Sequence, residues 1–170
     1  MSSNELLAEY DYVIVGAGSA GCVMANRLSA DSGNRVLLLE AGGRNRSLFV
    51  DMPAAFSMAM SRPRLNWGYR AQPSAGLDDR RLDCPRGLGL GGSSAINGMV
   101  YVRGHPLDFE RWNRMIGDAR ADWSYAGVLP YFKRAERCGD QTVDRRYRGT
   151  DGMLATRRGD WANPLYEACL

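Results

Sequence analysis

The sequence is short of histidine, of paired cysteines, of one-signed charge and of long apolar runs, and each shortage removes a class of function. His105 is the single histidine of 170 residues. Lying between Gly104 and Pro106, it reads as a structural hydrogen-bonding residue rather than a base, so no catalytic residue is assigned within the chain. Cys22, Cys84, Cys138 and Cys169 are far apart and form no C-x-x-C pair. That spacing excludes a zinc site or dithiol motif and leaves free thiols in a reducing compartment. Lys and Arg number 22 against 19 Asp and Glu, and the net charge of +3 builds no field suited to nucleic acid. Arg145, Arg146, Arg148, Arg157 and Arg158 make local basic clusters, but Asp144, Asp151 and Asp160 interleave with them, and they read as solvated surface. No segment approaches the ~20 unbroken apolar residues of a membrane span. Residues 1–9 carry Glu5 and Glu9, with neither a basic nor an apolar signal-peptide region. The expectation is a soluble cytoplasmic chain, with peripheral membrane contact left open.

What is present is a globular composition, 45% hydrophobic, long enough for a domain with its own core. Tyr10-Asp11-Tyr12-Val13-Ile14-Val15 is rich in β-branched and aromatic residues and stops at Gly16, as a buried parallel strand does. Ala20, Val23, Met24 and Leu28 then recur at helical spacing, which predicts an amphipathic helix with those residues inward. Gly33-Asn34 supplies a turn, and Arg35-Val36-Leu37-Leu38-Leu39-Glu40 reads as a second buried strand. Residues 42–82 hold no sustained period and predict an irregular excursion with a short helix. The run Gly87-Leu88-Gly89-Leu90-Gly91-Gly92-Ser93-Ser94 is too poor in side chains to pack as an element and reads as a loop whose backbone approaches a ligand. Residues 106–115 predict a helix with Leu107, Phe109 and Trp112 inward. A second helix is expected over 125–137, with Pro130 breaking or offsetting its start. The chain stops inside what looks like another helix opening after Asn163-Pro164.

Gly16-Ala17-Gly18-Ser19-Ala20-Gly21 fits G-x-G-x-x-G with a strand leading in and a helix leading out. Gly16 permits the tight turn, Gly18 a close approach to a pyrophosphate, and Gly21 close helix–strand packing, so that the helix N-terminus faces negative charge. Glu40 ends the second strand, placed to accept from ribose hydroxyls; an acid there argues against a 2′-phosphate. NAD and FAD share the adenosine diphosphate half, and these residues alone leave both open.

The Gly16–Gly21 motif followed by Glu40-Ala41-Gly42 resembles the start of a glucose–methanol–choline oxidoreductase, a family that binds FAD. Asn66-Trp67-Gly68-Tyr69 resembles a family segment near the flavin, and residues 86–101, from Arg86 through Gly91-Gly92-Ser93-Ser94-Ala95-Ile96-Asn97-Gly98-Met99-Val100 to Tyr101, resemble the first family signature. Arg103-Gly104-His105-Pro106-Leu107-Asp108-Phe109 with Trp112 is similar to the choline-dehydrogenase-like branch. So are Trp123-Ser124-Tyr125, Leu129-Pro130-Tyr131-Phe132-Lys133 with Glu136, and Tyr147-Arg148-Gly149 with Asp151-Gly152.

The resemblance implies an α/β fold: a partial Rossmann-like FAD/NAD(P)-binding domain, with a βαβ unit at about 10–42, a flavin-contacting loop at about 84–104 and helical segments at about 106–137. It implies FAD contacts from Gly16, Gly18, Ser19, Ala20, Gly21, Glu40 and Ala41 on the adenosine half. On the flavin side it implies Asn97, Gly98, Met99 and Val100, with Trp67 nearby, while the amides and hydroxyls of Gly91, Gly92, Ser93 and Ser94 suit either a phosphate or the isoalloxazine edge. Two departures stand out: Leu88 replaces a basic or small polar residue, and Ile96 stands where some relatives carry a histidine that tethers FAD covalently. The implied reaction is hydride transfer from a small alcohol such as choline to FAD, with the electron acceptor unassigned. The family's catalytic histidine and its partner belong to a later region that matches no position here, so the chain reads as a fragment of a two-domain flavoprotein without its substrate domain. Such a piece is expected to leave a sheet edge uncovered and to be poorly soluble alone. A cofactor-binding module without catalysis, an FAD-dependent lyase and an NAD-binding dehydrogenase are the alternatives, the last resting on the glycine motif alone.

Overall fold

The computed structural model describes residues 9–118 and 120–159, which fall into two compact units divided between Val100 and Tyr101. The helix opening expected after Asn163, and Cys169, lie outside the described residues.

The first unit is built on the expected β-α-β element. Strand β1 (Tyr12–Val15) pairs in parallel with β2 (Val36–Leu39) in the register Tyr12–Val36 to Val15–Leu39. Helix α1 (Ser19–Leu28) packs on both strands. Its phase differs from the one hydrophobicity suggests. Ala20, Val23 and Met24 are exposed, whereas Gly21, Cys22, Ala25 and Leu28 lie on the half-buried side. Gly21 sets this phase: a Cβ there would collide with the Gly16 carbonyl oxygen, so only glycine lets the helix settle on the turn, and the small residues following it face the strands. Nor are the strands buried on both faces as expected. Only Ile14 of the eight strand residues is buried, and Val15 is 82% exposed, because α1 is the one helix that packs on this pair among the described residues.

Residues 42–82 contain the expected irregular path, but with more structure than a single short helix. Helix α2 (Leu48–Asp51) starts at Ser47, whose hydroxyl accepts from Phe49 N–H at 3.3 Å, and a 3₁₀ turn at Pro53–Ala55 leads into α3 (Phe56–Met60). Strands β3 (Tyr69–Arg70) and β4 (Asp83–Cys84) pair antiparallel, and the Arg70 guanidinium meets the Asp83 carboxylate across them at 2.9 Å.

In the second unit, α4 (Pro106–Ile116) begins on His105, whose Nδ1 accepts from Leu107 N–H at 3.2 Å, and ends on Gly117 at φ 60°. Of its predicted inward residues, Phe109 is buried while Leu107 and Trp112 remain exposed. Phe109 packs among Trp112, Tyr125 and Phe132 at centroid distances of 5.5, 5.9 and 5.7 Å. Helix α5 (Tyr125–Ala135) is capped by the Ser124 hydroxyl and runs through Pro130 instead of breaking there. It ends at Ala135, two residues before the expected limit, because Glu136 turns into β5 (Glu136–Cys138), which pairs in parallel with β6 (Leu154–Thr156). The Glu136 side chain is fully buried and accepts from Arg103, Arg148, Thr156 and the Gly149 N–H. Arg148 therefore does not belong to the solvated surface. Its 34% exposed side chain is the partner of a buried acid.

Candidate functional site

The first turn leaves β1 at Gly16, whose N–H donates to Leu39 O at 2.7 Å, so the end of β1 is tied to the end of β2 before the helix starts. Helix α1 has no side-chain cap at Gly18. Cys22 N–H is the first of its amides to be paired, to Gly18 O at 2.9 Å, while those of Ser19, Ala20 and Gly21 find no acceptor among the described residues. Three aligned N–H groups at the positive end of a ten-residue helix favour an anion. A Cβ on Gly18 would meet nothing within 4 Å, so the backbone there faces open space.

The second glycine-rich segment lies directly on this turn. Gly91 N–H donates to Ala17 O at 2.7 Å, Leu90 N–H to Gly43 O at 3.1 Å, and the Ser19 and Ser94 hydroxyls pair at 2.9 Å. Gly92 has φ 53°, and a Cβ on it would stand 2.8 Å from the Gly18 Cα, a backbone-to-backbone approach that excludes any side chain. Ser93 closes the segment on itself, its hydroxyl accepting from Gly87 N–H at 3.1 Å. Of the two serines, Ser94 is the one that reaches the first turn. Asn45, which no sequence motif marks, has its carboxamide so close to Gly89 that a Cβ there would be 2.7 Å from Oδ1. No spacing rule links positions 45 and 89; only the folded path does.

Glu40 sits between these loops. One carboxylate oxygen accepts from Ala17 N–H at 2.7 Å, and the other accepts from Gly42 N–H at 2.9 Å and Gly89 N–H at 3.0 Å. The Gly42 and Ala17 amides, with Gly89 adding to them, hold this carboxyl below the usual glutamate range despite partial burial. Ala41 beside it is exposed.

Trp67 occupies a separate part of the same unit. Its N–H donates to Arg86 O at 2.9 Å and its ring stacks on Tyr69 at 5.9 Å with 5° between planes. Asn66 organises this segment, accepting from Gly68 and Arg86 N–H and donating to Met60 O. Asn97 accepts from Met99 N–H at 2.8 Å, and Met99 takes φ 59°, a left-handed conformation costly for a residue with a side chain. Met99 and Val100 are exposed. No hydrogen bond among the described residues joins Trp67 or residues 97–100 to the first turn. The described residues also hold no cluster of metal-ligating side chains, and none of their helices is long and apolar enough to cross a membrane.

A parallel β-α-β element with an open glycine turn, an uncapped helix end and an acid closing the second strand defines a dinucleotide-binding α/β unit. Residues 10–170 match the GMC oxidoreductase family, and the chain belongs to it. The chain is similar to the oxygen-dependent choline dehydrogenase of Photobacterium profundum, with 53% identity over 163 residues that cover 94% of this chain and 28% of that protein. The corresponding enzyme of Vibrio vulnificus is 52% identical over 161 residues, with the same coverage of each chain. Among solved structures, pyridoxine 4-oxidase from Mesorbium loti superposes with a TM-score of 0.84 at 38% identity, covering 94% of this chain and 31% of that one. An FAD-dependent oxidoreductase from Chaetomium thermophilum superposes at 0.79 with 32% identity, over 94% of this chain and 28% of that one. The chain thus spans between a quarter and a third of the length of these relatives and folds as part of their α/β cofactor-binding domain.

Proposed function

We propose that the first unit holds the adenosine diphosphate half of FAD, and that the protein to which this sequence belongs oxidises a small alcohol, choline being the leading candidate. The observation that carries this reading is the unpaired amide end of α1 facing open space at Gly18. Bound FAD supplies the acceptor for a hydride leaving the alcohol carbon.

The amides of Ser19, Ala20 and Gly21 bind the pyrophosphate, with Gly16 and Gly18 keeping the turn free of side chains. Gly91, Gly92 and Ser93 form the facing wall. Glu40, with Ala41 beside it, borders the ribose. Asn97 spends its Oδ1 on Met99 N–H, which leaves its Nδ2 to donate to a ring acceptor. Gly98 and the exposed Met99, Val100 and Trp67 offer backbone and apolar surface to the isoalloxazine. With Ile96 in place of a tethering histidine, the flavin is held without a covalent bond. His105 spends its Nδ1 on capping α4, and no catalytic base is assigned to it. The choline reading is supported by the names of the choline dehydrogenase relatives, and pyridoxine 4-oxidase keeps other alcohols in view.

The test is a titration of the chain with FAD, read by flavin fluorescence and followed by competition with ADP. Saturable binding that ADP reverses is expected, because recognition is assigned to the diphosphate half. Saturable binding untouched by excess ADP would place recognition on the flavin ring and overturn the assignment.

A further inference from the structure

Glu40, placed by the sequence to accept from ribose hydroxyls, has a carboxylate that is already engaged by the protein. Ala17 in the first turn, Gly42 after β2 and Gly89 in the second glycine-rich segment all donate to it, from positions 23, 2 and 49 residues away. A carboxylate offers about four acceptor sites. Three of them are taken by backbone amides before any ligand is present. We infer that Glu40 is the positioning residue that locks the two glycine loops together before any cofactor arrives.

The surrounding geometry makes this link consequential. Apart from Glu40, the two loops are held by the Gly91–Ala17 and Leu90–Gly43 backbone bonds and the exposed Ser19–Ser94 hydroxyl pair. None of these involves a charge, whereas each bond to Glu40 is charge-assisted and about twice as strong as a neutral one. Segments this rich in glycine lose much backbone entropy on ordering, so a loop held by neutral bonds alone opens often. The carboxylate that borders the proposed ribose position therefore also sets the distance between the turn that carries the helix end and the wall opposite it.

This inference rests on the FAD reading only for its consequence; the link itself exists without cofactor and is tested without it. Amide hydrogen exchange is followed in the cofactor-free chain, comparing the natural sequence with Glu40→Gln. Glutamine keeps the size and one acceptor oxygen but turns an N–H₂ donor toward either Ala17 or the Gly42–Gly89 pair. Exchange at Ala17 and Gly89 is expected to speed up by about tenfold or more, with the β1–β2 amides of Val13 and Leu37 unchanged. If Glu40→Gln disturbs the whole unit, Glu40→Asp keeps the charge but is one methylene short, and faster exchange at Gly89 alone gives the same answer. Unchanged exchange at Ala17 and Gly89 in both variants would overturn the inference and return Glu40 to a purely ligand-facing role. Failure of the natural chain to bind FAD would overturn the functional reading and leave the exchange result standing.

Discussion

Glu136→Ala is expected to lower the stability of the second unit by about 3–5 kcal/mol, the usual result of removing one partner from a buried ion pair. Glu136 has no exposed surface, while the Arg103 and Arg148 side chains that meet it are 11% and 34% exposed. Arg103 approaches to 2.7 Å, the Nε of Arg148 to 2.9 Å, and the Thr156 hydroxyl to 2.8 Å, with the Gly149 N–H at 3.2 Å. The acid therefore ties together the start of β5, the end of β6, the loop before Gly149 and the segment entering α4. Alanine leaves two guanidinium groups facing one another with no counter-charge, a large loss against a typical domain stability of about 5–15 kcal/mol. Glu136→Gln retains an acceptor and is expected to fall between the two. Burial pushes this carboxyl up, but the hydrogen bonds from Arg148, Thr156 and Gly149 outweigh it and hold it below the ordinary value. A lowered folded value means that the contribution is complete above the ordinary glutamate range, about pH 4.3, and is lost only as pH falls below it. Urea unfolding followed at neutral pH and in mild acid checks both points. A Glu136→Ala midpoint equal to that of the natural chain at neutral pH would show that the cluster contributes nothing.

Gly92→Val is the second large effect, and it acts on binding instead. The left-handed backbone at Gly92 costs a side-chain-bearing residue about 1–2 kcal/mol, and a branched side chain meets the Gly18 Cα besides. The second glycine loop is displaced from the first turn, and FAD affinity is expected to fall by about tenfold at the least, since every 1.4 kcal/mol is tenfold. The β1–β2 pair and α1 do not depend on this contact, so circular dichroism should be little changed. Equal FAD affinity in Gly92→Val and the natural chain would mean that the loop contact plays no part in the site.

The β-α-β unit was legible because its signals are local: β-branched runs ending on glycine, a three-glycine turn and an acid at the strand end. The phase of α1 was not. Ranking side chains by hydrophobicity selects Val23 and Met24, whereas the packing is decided by a missing Cβ at Gly21 resting on the Gly16 carbonyl. The glycine run at 87–94 announced a loop, but nothing in its spacing says that Gly92 lies on Gly18 or that Gly89 donates to Glu40. Arg148 shows the same limit from the other side. Surrounded in sequence by charged residues it looks solvated, and only the parallel pairing of β5 with β6 brings the Tyr147–Gly149 loop to a buried acid. Residues whose role follows from the local pattern were readable, whereas Arg148, Gly89 and Gly92, whose partners lie 12, 49 and 74 positions away, were not.

The most direct test of the account is to incubate the chain with FAD and, separately, with NAD, remove free ligand by gel filtration, and record the absorbance that travels with the protein. The account predicts that oxidised-flavin absorbance is retained at close to one equivalent while NAD is lost. Retention of NAD with no retained flavin would contradict it, because a diphosphate-binding turn would then be serving a different cofactor.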